Sequence, residues 1–306
     1  MRLTMVNPGG DGYSAVDRCE DGSTRVQLAA HHPGVADIAY RARRDAIAAM
    51  AIAWSVERAV PTIDYSESEH QTWRTVCAEL VPAWHAHAAR SFLDAVEQLS
   101  LPSDHLPQLD EVTARLGPLT GFRYLPVAGL APLRHFYRSF GDGVFWSTQY
   151  IRHGSQPLYT PEPDICHEVL GHANQLADAG LAALYRRVAA CADRLKTDAA
   201  LGALSKVFWF TVEFGLVIER GEPRAWGAGI LSSFGELGAF GRADIRPFDT
   251  AVMATMSYDI DRYQPILFAA RCMTEAIEET AAFVDWLDDD TAARLVSGTC
   301  AARTRR

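Results

Sequence analysis

Residues 161–172 have the sequence Pro-Glu-Pro-Asp-Ile-Cys-His-Glu-Val-Leu-Gly-His, which places two histidines, His167 and His172, five positions apart. In the zinc protease signature the two histidines are four apart and share one face of an α-helix. An α-helix turns by about 100° per residue, so a spacing of five separates the two side chains by roughly 140°. The rings can converge if the chain makes a wider turn here or the helix ends at Gly171. From the spacing alone, both could equally be ordinary helix residues.

Glu213 is a carboxylate in an apolar environment. It is the one ionisable residue of the segment 207–218, Val-Phe-Trp-Phe-Thr-Val-Glu-Phe-Gly-Leu-Val-Ile. A buried, unpaired carboxylate is unfavourable by several kcal/mol, so it needs a cation, a metal ion or a proton. An arginine would serve, but a metal ion shared with His167 and His172 is the simpler explanation. Two imidazoles and a carboxylate with open positions are typical of non-haem Fe(II) oxygenases. A zinc hydrolase with Glu168 as general base is the alternative.

A guanidinium is available upstream of the two histidines. Arg152 is suited to bidentate recognition of a carboxylate, and Asp164 is in place to hold it. In most proteins such a pair would be an ordinary structural salt bridge. Downstream, the stretch Gly227-Ala-Gly229-Ile-Leu-Ser-Ser233 lacks the third glycine and the lysine of a nucleotide-binding loop. We interpret it as a place where the backbone closely approaches a small ligand.

The composition indicates a globular protein. The chain has 306 residues, of which 48% are hydrophobic and 22% charged, enough for a large core. A net charge of -9 gives no electrostatic reason to expect nucleic acid or an anionic membrane as a partner. The cysteines form no CxxC pair, which fits a reducing cytoplasm. The chain shows neither an ordinary signal peptide nor an apolar run long enough to cross a bilayer. We therefore expect a cytoplasmic protein.

Hydrophobic periodicity predicts the fold class. Apolar residues recur at helical spacing over residues 35–60 and 66–99. Residues 201–220 are predicted to form a buried apolar helix and residues 264–287 a last amphipathic helix, whereas residues 121–150 contain β-prone pieces separated by glycines. The prediction is a mainly α fold, a single catalytic domain of helices and loops with a few short β-strands. Pro82 should kink or break the second long helix. The expected boundaries are a mobile N-terminal arm at 1–24, the catalytic domain at 25–290 and a C-terminal tail at 291–306.

Three motifs together resemble a known family. They are Thr160–His172, the sequence Phe-Thr-Val-Glu-Phe-Gly-Leu at 210–216, and Gly-Ala-Gly-Ile-Leu-Ser-Ser-Phe-Gly-Glu at 227–236. They resemble the pterin-dependent aromatic amino acid hydroxylases, in the phenylalanine branch and for the catalytic domain alone, and the similarity covers roughly residues 30 to 285. It implies a monooxygenase that hydroxylates the ring of a free aromatic amino acid. The implied cofactors are Fe(II) and tetrahydrobiopterin or a related tetrahydropterin, with O₂ as co-substrate.

The resemblance also implies roles for individual residues. The catalytic iron ligands would be His167, His172 and Glu213. The substrate-binding residues would be Arg152 as the carboxylate clamp, Thr160, Pro163, Asp164, Trp209, Phe214, Gly229 and Ser232, with Leu130 and Ile260 as pocket positions. The pterin would contact Gly129, Ala131, Leu133, Phe136 as the stacking ring, and Glu168.

Some positions depart from the family pattern. The family usually has His-Cys where this chain has Trp146 and Ser147, a tyrosine near the iron where it has Phe208, and Leu and Ser where it has Ala131 and Leu133. The regulatory domain and the tetramerisation segment of the animal enzymes have no counterpart here. We therefore expect a monomer or a dimer.

The choice of substrate depends on few positions. Leu130 and Trp209 resemble the phenylalanine branch, whereas Ile260 resembles the tryptophan branch. L-phenylalanine is the first prediction and L-tryptophan the second. A protein that binds a pterin or an amino acid without turnover is the non-enzymatic alternative. The sequence does not determine which ring carbon is attacked.

Overall fold

The chain folds into helices around a large hydrophobic core, in a computed structural model that describes residues 15–19, 22–260 and 262–297. The α-helices are α1 (Ile38–Ala53), α2 (Glu67–His87), α3 (Arg90–Leu99), α4 (Leu109–Thr120), α5 (Leu133–Ser139), α6 (Asn174–Leu176), α7 (Ala179–Arg194), α8 (Asp198–Phe208), α9 (Ala228–Leu231), α10 (Phe234–Ala239), α11 (Thr250–Thr255), α12 (Met273–Trp286) and α13 (Asp289–Val296). Two π-helices span His167–Ala173 and Trp209–Glu213, and two 3₁₀-helices span Phe140–Asp142 and Phe240–Arg242. The mainly α prediction is confirmed.

The β-strands are short and form small sheets. They are β1 (Ala15–Arg18), β2 (Thr24–Gln27), β3 (Arg123–Pro126), β4 (Val144–Ser147), β5 (Leu216–Glu219), β6 (Glu222–Ala225), β7 (Asp244–Pro247) and β8 (Ile266–Ala270). Strands β1 and β2 form an antiparallel hairpin, β3 and β4 pair in parallel, and the third sheet has the order β6-β5-β8-β7. In that sheet β5–β6 is antiparallel, and β5–β8 and β7–β8 are parallel. Among the described residues, no helix is both long and apolar enough to cross a lipid bilayer.

Helix α2 anchors the core to the segment that follows the second π-helix. A capping box between Ser66 and Glu69 begins it, and Trp73 and Trp84 are buried along one face. The Trp84 indole N–H donates to the Leu231 carbonyl at 2.7 Å. The predicted break at Pro82 is wrong, because this proline lies on the exposed face and the helix continues to His87.

Regular secondary structure continues past both predicted boundaries of the catalytic domain. Strands β1 (Ala15–Arg18) and β2 (Thr24–Gln27) form a hairpin, in which Val16 and Val26 pack against Ala48 of α1. At the other end, helix α13 buries Ala292 and Leu295. Apolar side chains at these positions therefore extend ordered structure into the predicted arm and tail. Residues 1–14, 20–21 and 298–306 lie outside the described residues.

Two segments that were each predicted to form one helix contain both a helix and a strand. The segment 201–220 begins in α8, passes through the second π-helix and ends in β5. The segment 264–287 begins with β8 and continues as α12. Short apolar runs of this kind satisfy helical and strand patterns equally, and pairing of β5 with β8 decides between them.

Gly227 is required by a backbone contact. A Cβ atom at this position would lie 2.3 Å from the Glu213 carbonyl oxygen, and one at Gly229 would lie 3.0 Å from the same oxygen. The close approach predicted for this stretch is therefore an approach to the backbone of Glu213. By contrast, a Cβ at Gly202, inside α8, would meet no atom within 4 Å.

The two glycines should respond in opposite ways to alanine. Gly227→Ala is expected to lower the free energy of unfolding by about 1–3 kcal/mol, because backbone atoms cannot yield to the new methyl group. Gly202→Ala should raise it by about 0.5–1 kcal/mol, because alanine loses less conformational entropy in a helix interior. Urea denaturation of the two variants measures both effects. Equal effects of the same sign would contradict this packing.

Candidate metal centre

His167 and His172 converge because they lie on a π-helix. A π-helix has i→i+5 hydrogen bonds, so residues five apart lie nearly above one another. The Nε2 atoms of the two rings are 3.1 Å apart, with the rings at 89° to each other. The wider turn predicted from the spacing is present, and the helix continues past Gly171 into α6.

Glu213 completes the cluster from the end of the second π-helix. Its Oε1 lies 3.2 Å from His172 Nε2 and its Oε2 lies 3.8 Å from His167 Nε2. One ligand atom from each residue can be chosen so that all lie within 4.8 Å of one another, as a shared metal ion requires. The side chains of His167 and Glu213 are 16% and 13% exposed and that of His172 is 2% exposed. The cluster is therefore accessible from the side of His167 and Glu213.

The other ring nitrogens are both held by hydroxyl groups. His167 Nδ1 lies 2.9 Å from Ser232 Oγ, and His172 Nδ1 lies 2.7 Å from Tyr185 Oη. Partners of this kind orient a histidine so that Nε2 faces the metal. Ser232, predicted to lie near the substrate, thus also contacts a predicted ligand.

The protonation states suit a metal ion. Burial and the neighbouring His172 lower the pKa of His167 to about 4, so its imidazole is neutral at neutral pH. Burial acts to raise the pKa of Glu213, but His172 and His167 outweigh it and hold the pKa below its ordinary value. A neutral imidazole and an ionised carboxylate are the forms that bind metals. The donor set therefore fits Fe(II) with open coordination positions.

Arg152 and Asp164 form a buried bidentate pair beside the cluster. Arg152 Nε and Nη2 donate to the two carboxylate oxygens at 2.9 and 2.8 Å, and the Arg152 backbone N–H donates at 2.7 Å. Burial acts to raise the pKa of Asp164, but Arg152 outweighs it and holds that pKa below its ordinary value. Asp164 Oδ1 also accepts from the His167 backbone N–H at 3.2 Å. Arg152 Nη1 makes a long hydrogen bond, 3.5 Å to the Pro157 carbonyl, so this edge of the guanidinium is the one left for a second carboxylate.

Trp209 and Phe214 form an aromatic wall. Their ring centroids are 4.5 Å apart, and Phe214 also lies against Gly229. Tyr258 stacks on Trp209 with centroids 4.3 Å apart, and the Trp209 indole N–H donates to Gln264 Oε1 at 3.1 Å. Three of the predicted substrate residues are thus together.

The remaining predicted substrate residues lie in loops. The Thr160 hydroxyl donates to the Glu162 carbonyl, and the Pro163 carbonyl accepts from the Tyr150 hydroxyl. Leu130, between β3 and α5, and Ile260, in the turn after α11, are half-buried.

The predicted pterin residues lie on α5 and the loop before it, apart from Glu168. Leu133 and Phe136 pack on the core, whereas Gly129 and Ala131 precede the helix. Phe136 contacts Phe145, which in turn lies against the His172 ring with centroids 4.9 Å apart. Burial, with the Glu213 and Asp164 carboxylates, raises the pKa of Glu168 well above its ordinary value. This shift favours the protonated form of Glu168, which directly follows the first predicted metal ligand in sequence.

Sequence reasoning missed several polar groups around the site. They are Tyr185 and Gln175 behind His172, and Tyr258 and Gln264 against Trp209. A buried polar residue on the apolar face of a helix is the signal that would have found Tyr185 on α7.

A second buried ion pair supports the segment that carries Arg152. Arg44 Nη1 donates to Glu162 Oε1 at 2.6 Å, and its guanidinium lies 3.3 Å from the centroid of the Tyr150 ring. His32 Nε2 is 3.6 Å from the same carboxylate, and His32 Nδ1 accepts from the Gly34 N–H at 2.9 Å. Burial lowers the pKa of His32 from 6.5 to about 4.

Stability should depend on pH through His32. Between its unfolded pKa of 6.5 and its folded pKa of about 4, the unfolded chain binds a proton that the folded chain excludes, so stability is lost as the pH falls through this range. His32→Asn keeps an acceptor for the Gly34 N–H but does not titrate. We expect the difference in unfolding free energy between wild type and variant to shrink from pH 7 to pH 4.5 in urea denaturation. A constant difference would contradict the buried neutral imidazole.

Comparison with known proteins agrees with this geometry. Residues 13–301 match the family model described as biopterin-dependent aromatic amino acid hydroxylase. The chain is 45% identical to the phenylalanine 3-hydroxylase of Streptomyces coeruleorubidus, over 88% of this chain and 96% of that protein. It is 40% identical to the tyrosine 3-monooxygenase of Mus musculus, over 86% of this chain and 54% of that protein, so it spans about half the length of this animal relative.

A solved structure shows the same fold. Chromobacterium violaceum phenylalanine hydroxylase, with bound iron(III) and 7,8-dihydrobiopterin, superimposes with a TM-score of 0.68 and 28% identity, covering 72% of this chain and 82% of that one. The family predicted from the motifs is confirmed. The chain belongs to the biopterin-dependent aromatic amino acid hydroxylases, and it is an iron- and pterin-dependent monooxygenase.

Proposed function

We propose that this chain hydroxylates the ring of free L-phenylalanine, with His167, His172 and Glu213 as the iron ligands. The observation that carries the proposal is the convergence of these three side chains beside the open guanidinium edge of Arg152. With O₂ and a tetrahydropterin, Fe(II) bound at such a site supplies the oxidant that transfers one oxygen atom to an aromatic ring. The protein residues bind and orient the two organic molecules around it.

Arg152 would bind the carboxylate of the amino acid. Asp164 occupies Nε and one edge of Nη2, which leaves the Nη1 edge to form charge-assisted hydrogen bonds with the substrate. Because Asp164 also accepts from the backbone N–H of His167, the clamp has a fixed position relative to the iron ligand. The amino acid would thus be held by its carboxylate with its ring towards the metal.

The aromatic wall favours an unsubstituted ring. Trp209 and Phe214, with Pro163, would contact the substrate through apolar faces, since the Trp209 N–H is already bound to Gln264. The phenol of tyrosine or the indole N–H of tryptophan would need a polar partner on burial there. Thr160, Gly229, Ser232, Leu130 and Ile260 complete the proposed substrate contacts.

The pterin would lie against α5. We assign it Phe136 as the stacking ring and Gly129, Ala131 and Leu133 as neighbours, with Glu168 as a neutral carboxylic acid that donates a hydrogen bond. Membership of the hydroxylase family opposes the zinc hydrolase alternative with Glu168 as general base. A cytoplasmic location and a monomeric or dimeric state remain predictions from the sequence.

The ring carbon attacked is the finer part of the proposal. We propose hydroxylation at C3, because the Streptomyces phenylalanine 3-hydroxylase is 45% identical over 96% of its length. Identification of the product distinguishes C3 from C4.

Product identification tests the function. Protein loaded anaerobically with Fe(II) is mixed with tetrahydrobiopterin, O₂ and each of phenylalanine, tyrosine and tryptophan, and products are identified by mass spectrometry and NMR. We expect 3-hydroxyphenylalanine as the main product, with one oxygen atom from O₂. 4-Hydroxyphenylalanine would overturn the ring position alone, and preferred turnover of tryptophan or tyrosine would overturn the substrate. Amino acid binding without any product would support a binding protein.

Two variants should separate metal binding from substrate binding. Glu213→Ala should lose most of the bound iron, because two ligands remain where three are needed, as measured by metal analysis after anaerobic loading.

Arg152→Lys should keep its iron and raise the KM for phenylalanine about 10- to 100-fold, because a lysine ammonium cannot bind both the Asp164 carboxylate and that of the substrate. Arg187→Lys, at an exposed ion pair with Asp285, is the matched control. Full iron in Glu213→Ala, or an unchanged KM in Arg152→Lys, would contradict the assigned roles.

A further inference from the structure

A chain of hydrogen bonds begins at the nitrogen of His172 that faces away from the cluster. His172 Nδ1 lies 2.7 Å from Tyr185 Oη, and Tyr185 Oη lies 2.8 Å from Gln175 Oε1. Gln175 Nε2 lies 2.9 Å from the Val212 carbonyl and 2.7 Å from the Trp226 carbonyl. His172, Tyr185 and Gln175 are each at most 1% exposed. Water therefore has little access to replace these partners.

The direction of every hydrogen bond in this chain follows from its anchored end. Backbone carbonyls can only accept, so both amide hydrogens of Gln175 point to Val212 and Trp226 and its oxygen faces Tyr185. That oxygen is an acceptor, so Tyr185 donates its single hydroxyl hydrogen to it. Tyr185 Oη must then accept from His172, which requires a hydrogen on Nδ1. Nε2, which faces Glu213 and His167, is then the ring nitrogen left to bind a metal ion.

We propose that Tyr185 and Gln175 are positioning residues that fix the tautomer and the ring orientation of the iron ligand His172. The inference rests on the proposed function, since it assigns His172 to the metal. Gln175 has a second effect, because both of its acceptors are connected to the backbone around Glu213. Val212 directly precedes Glu213 on the second π-helix, and the Trp226 backbone N–H donates to the carbonyl of Gly215, two residues after Glu213. These hydrogen bonds thus connect the ring of the ligand His172 to the backbone next to the ligand Glu213.

His167 lacks an equally fixed support. Its Nδ1 partner is the Ser232 hydroxyl, whose own backbone acceptor, the Gly229 carbonyl, is 3.4 Å away. A hydroxyl with such a long bond can rotate and either donate or accept. The two histidines are therefore held differently, and the loss of one hydroxyl should affect His172 most.

Tyr185→Phe is the variant that removes the hydroxyl and keeps the ring. The Tyr185 ring packs against Phe140 and Phe208, with centroids 4.9 and 5.8 Å away, and these contacts do not need the hydroxyl. Tyr137→Phe is the matched control, because Tyr137 is also buried and packs on the same Phe208 ring at 5.0 Å.

The experiment measures metal affinity, independently of turnover. Metal-free full-length protein is titrated anaerobically with Fe(II) against a chromogenic chelator, and Co(II) absorption spectra report the ligand geometry. Tyr185→Phe is expected to bind Fe(II) about 10- to 100-fold more weakly than wild type and to change the Co(II) spectrum. Tyr137→Phe should behave as wild type. Gln175→Met should resemble Tyr185→Phe, and the double variant should show little further loss, because both residues act through one hydrogen-bond chain.

The outcomes distinguish this inference from the proposed function. Wild-type affinity and an unchanged Co(II) spectrum in Tyr185→Phe would overturn the positioning role and leave the iron site intact. An equal loss in Tyr137→Phe would overturn it as well, since the effect would then be one of general packing. A wild-type protein that binds no Fe(II) would overturn the proposed function itself. If Tyr185→Phe does not fold, the same criteria apply to Gln175→Met.

Discussion

The metal centre depends on two π-helical turns that tertiary packing must stabilise. Hydrogen-bond geometry in a π-helix is poorer than in an α-helix, so such a turn does not form from local propensity and needs tertiary packing. Helix α9 supplies that packing to both turns. A Cβ at Gly171 would lie 2.9 Å from the Ala228 carbonyl, and one at Gly227 would lie 2.3 Å from the Glu213 carbonyl. Glycine at each contact lets α9 lie against both turns, which places Glu213 opposite the two imidazoles.

The three acidic groups around the centre carry different charges for identifiable reasons. Glu213 is ionised because two imidazoles offset its burial, and Asp164 is ionised because Arg152 does the same. Burial raises the pKa of Glu168, and the Glu213 and Asp164 carboxylates add to this effect, so the protonated form of Glu168 is favoured. Neighbouring hydrogen-bond donors and charges, acting against burial, decide which carboxylate ionises. One face of the site can thus accept a cation while another donates a hydrogen bond.

Residue chemistry predicted the parts of the site whose signal lies within their own segment of sequence. The spacing of His167 and His172 required a wide turn, which the π-helix provides, and the apolar setting of Glu213 required a partner for its carboxylate, beside which the structure places His172. Tyr185 and Gln175 could not be predicted in the same way. Their roles depend on how α6 and α7 pack behind His172, and that packing has no local sequence signal.

The same limit applies to the fold. Helical periodicity identified the long helices, because a helix buries one stripe of its own side chains. The segment 201–220 was predicted as one helix and changes to a strand after Glu213. Its strand character comes from pairing with β6, through the turn at Arg220 and Gly221, and from pairing of Leu216 and Val217 with β8, some fifty residues away in sequence. The hydrophobic pattern of one segment does not identify a strand partner that is distant in sequence. The change from helix to strand after Glu213 is therefore evident only in the folded chain.

The two buried ion pairs illustrate why polar groups are kept in this core. A buried pair is often no more stabilising than apolar residues of the same shape, so stability alone does not explain it. Arg44 and Glu162 neutralise each other against the Tyr150 ring, and the Tyr150 hydroxyl holds the Pro163 carbonyl. This contact fixes the chain next to Asp164, whose carboxylate in turn fixes Arg152. The outer pair therefore determines where the open edge of the inner guanidinium points, and orientation of that edge is the property an apolar core could not provide.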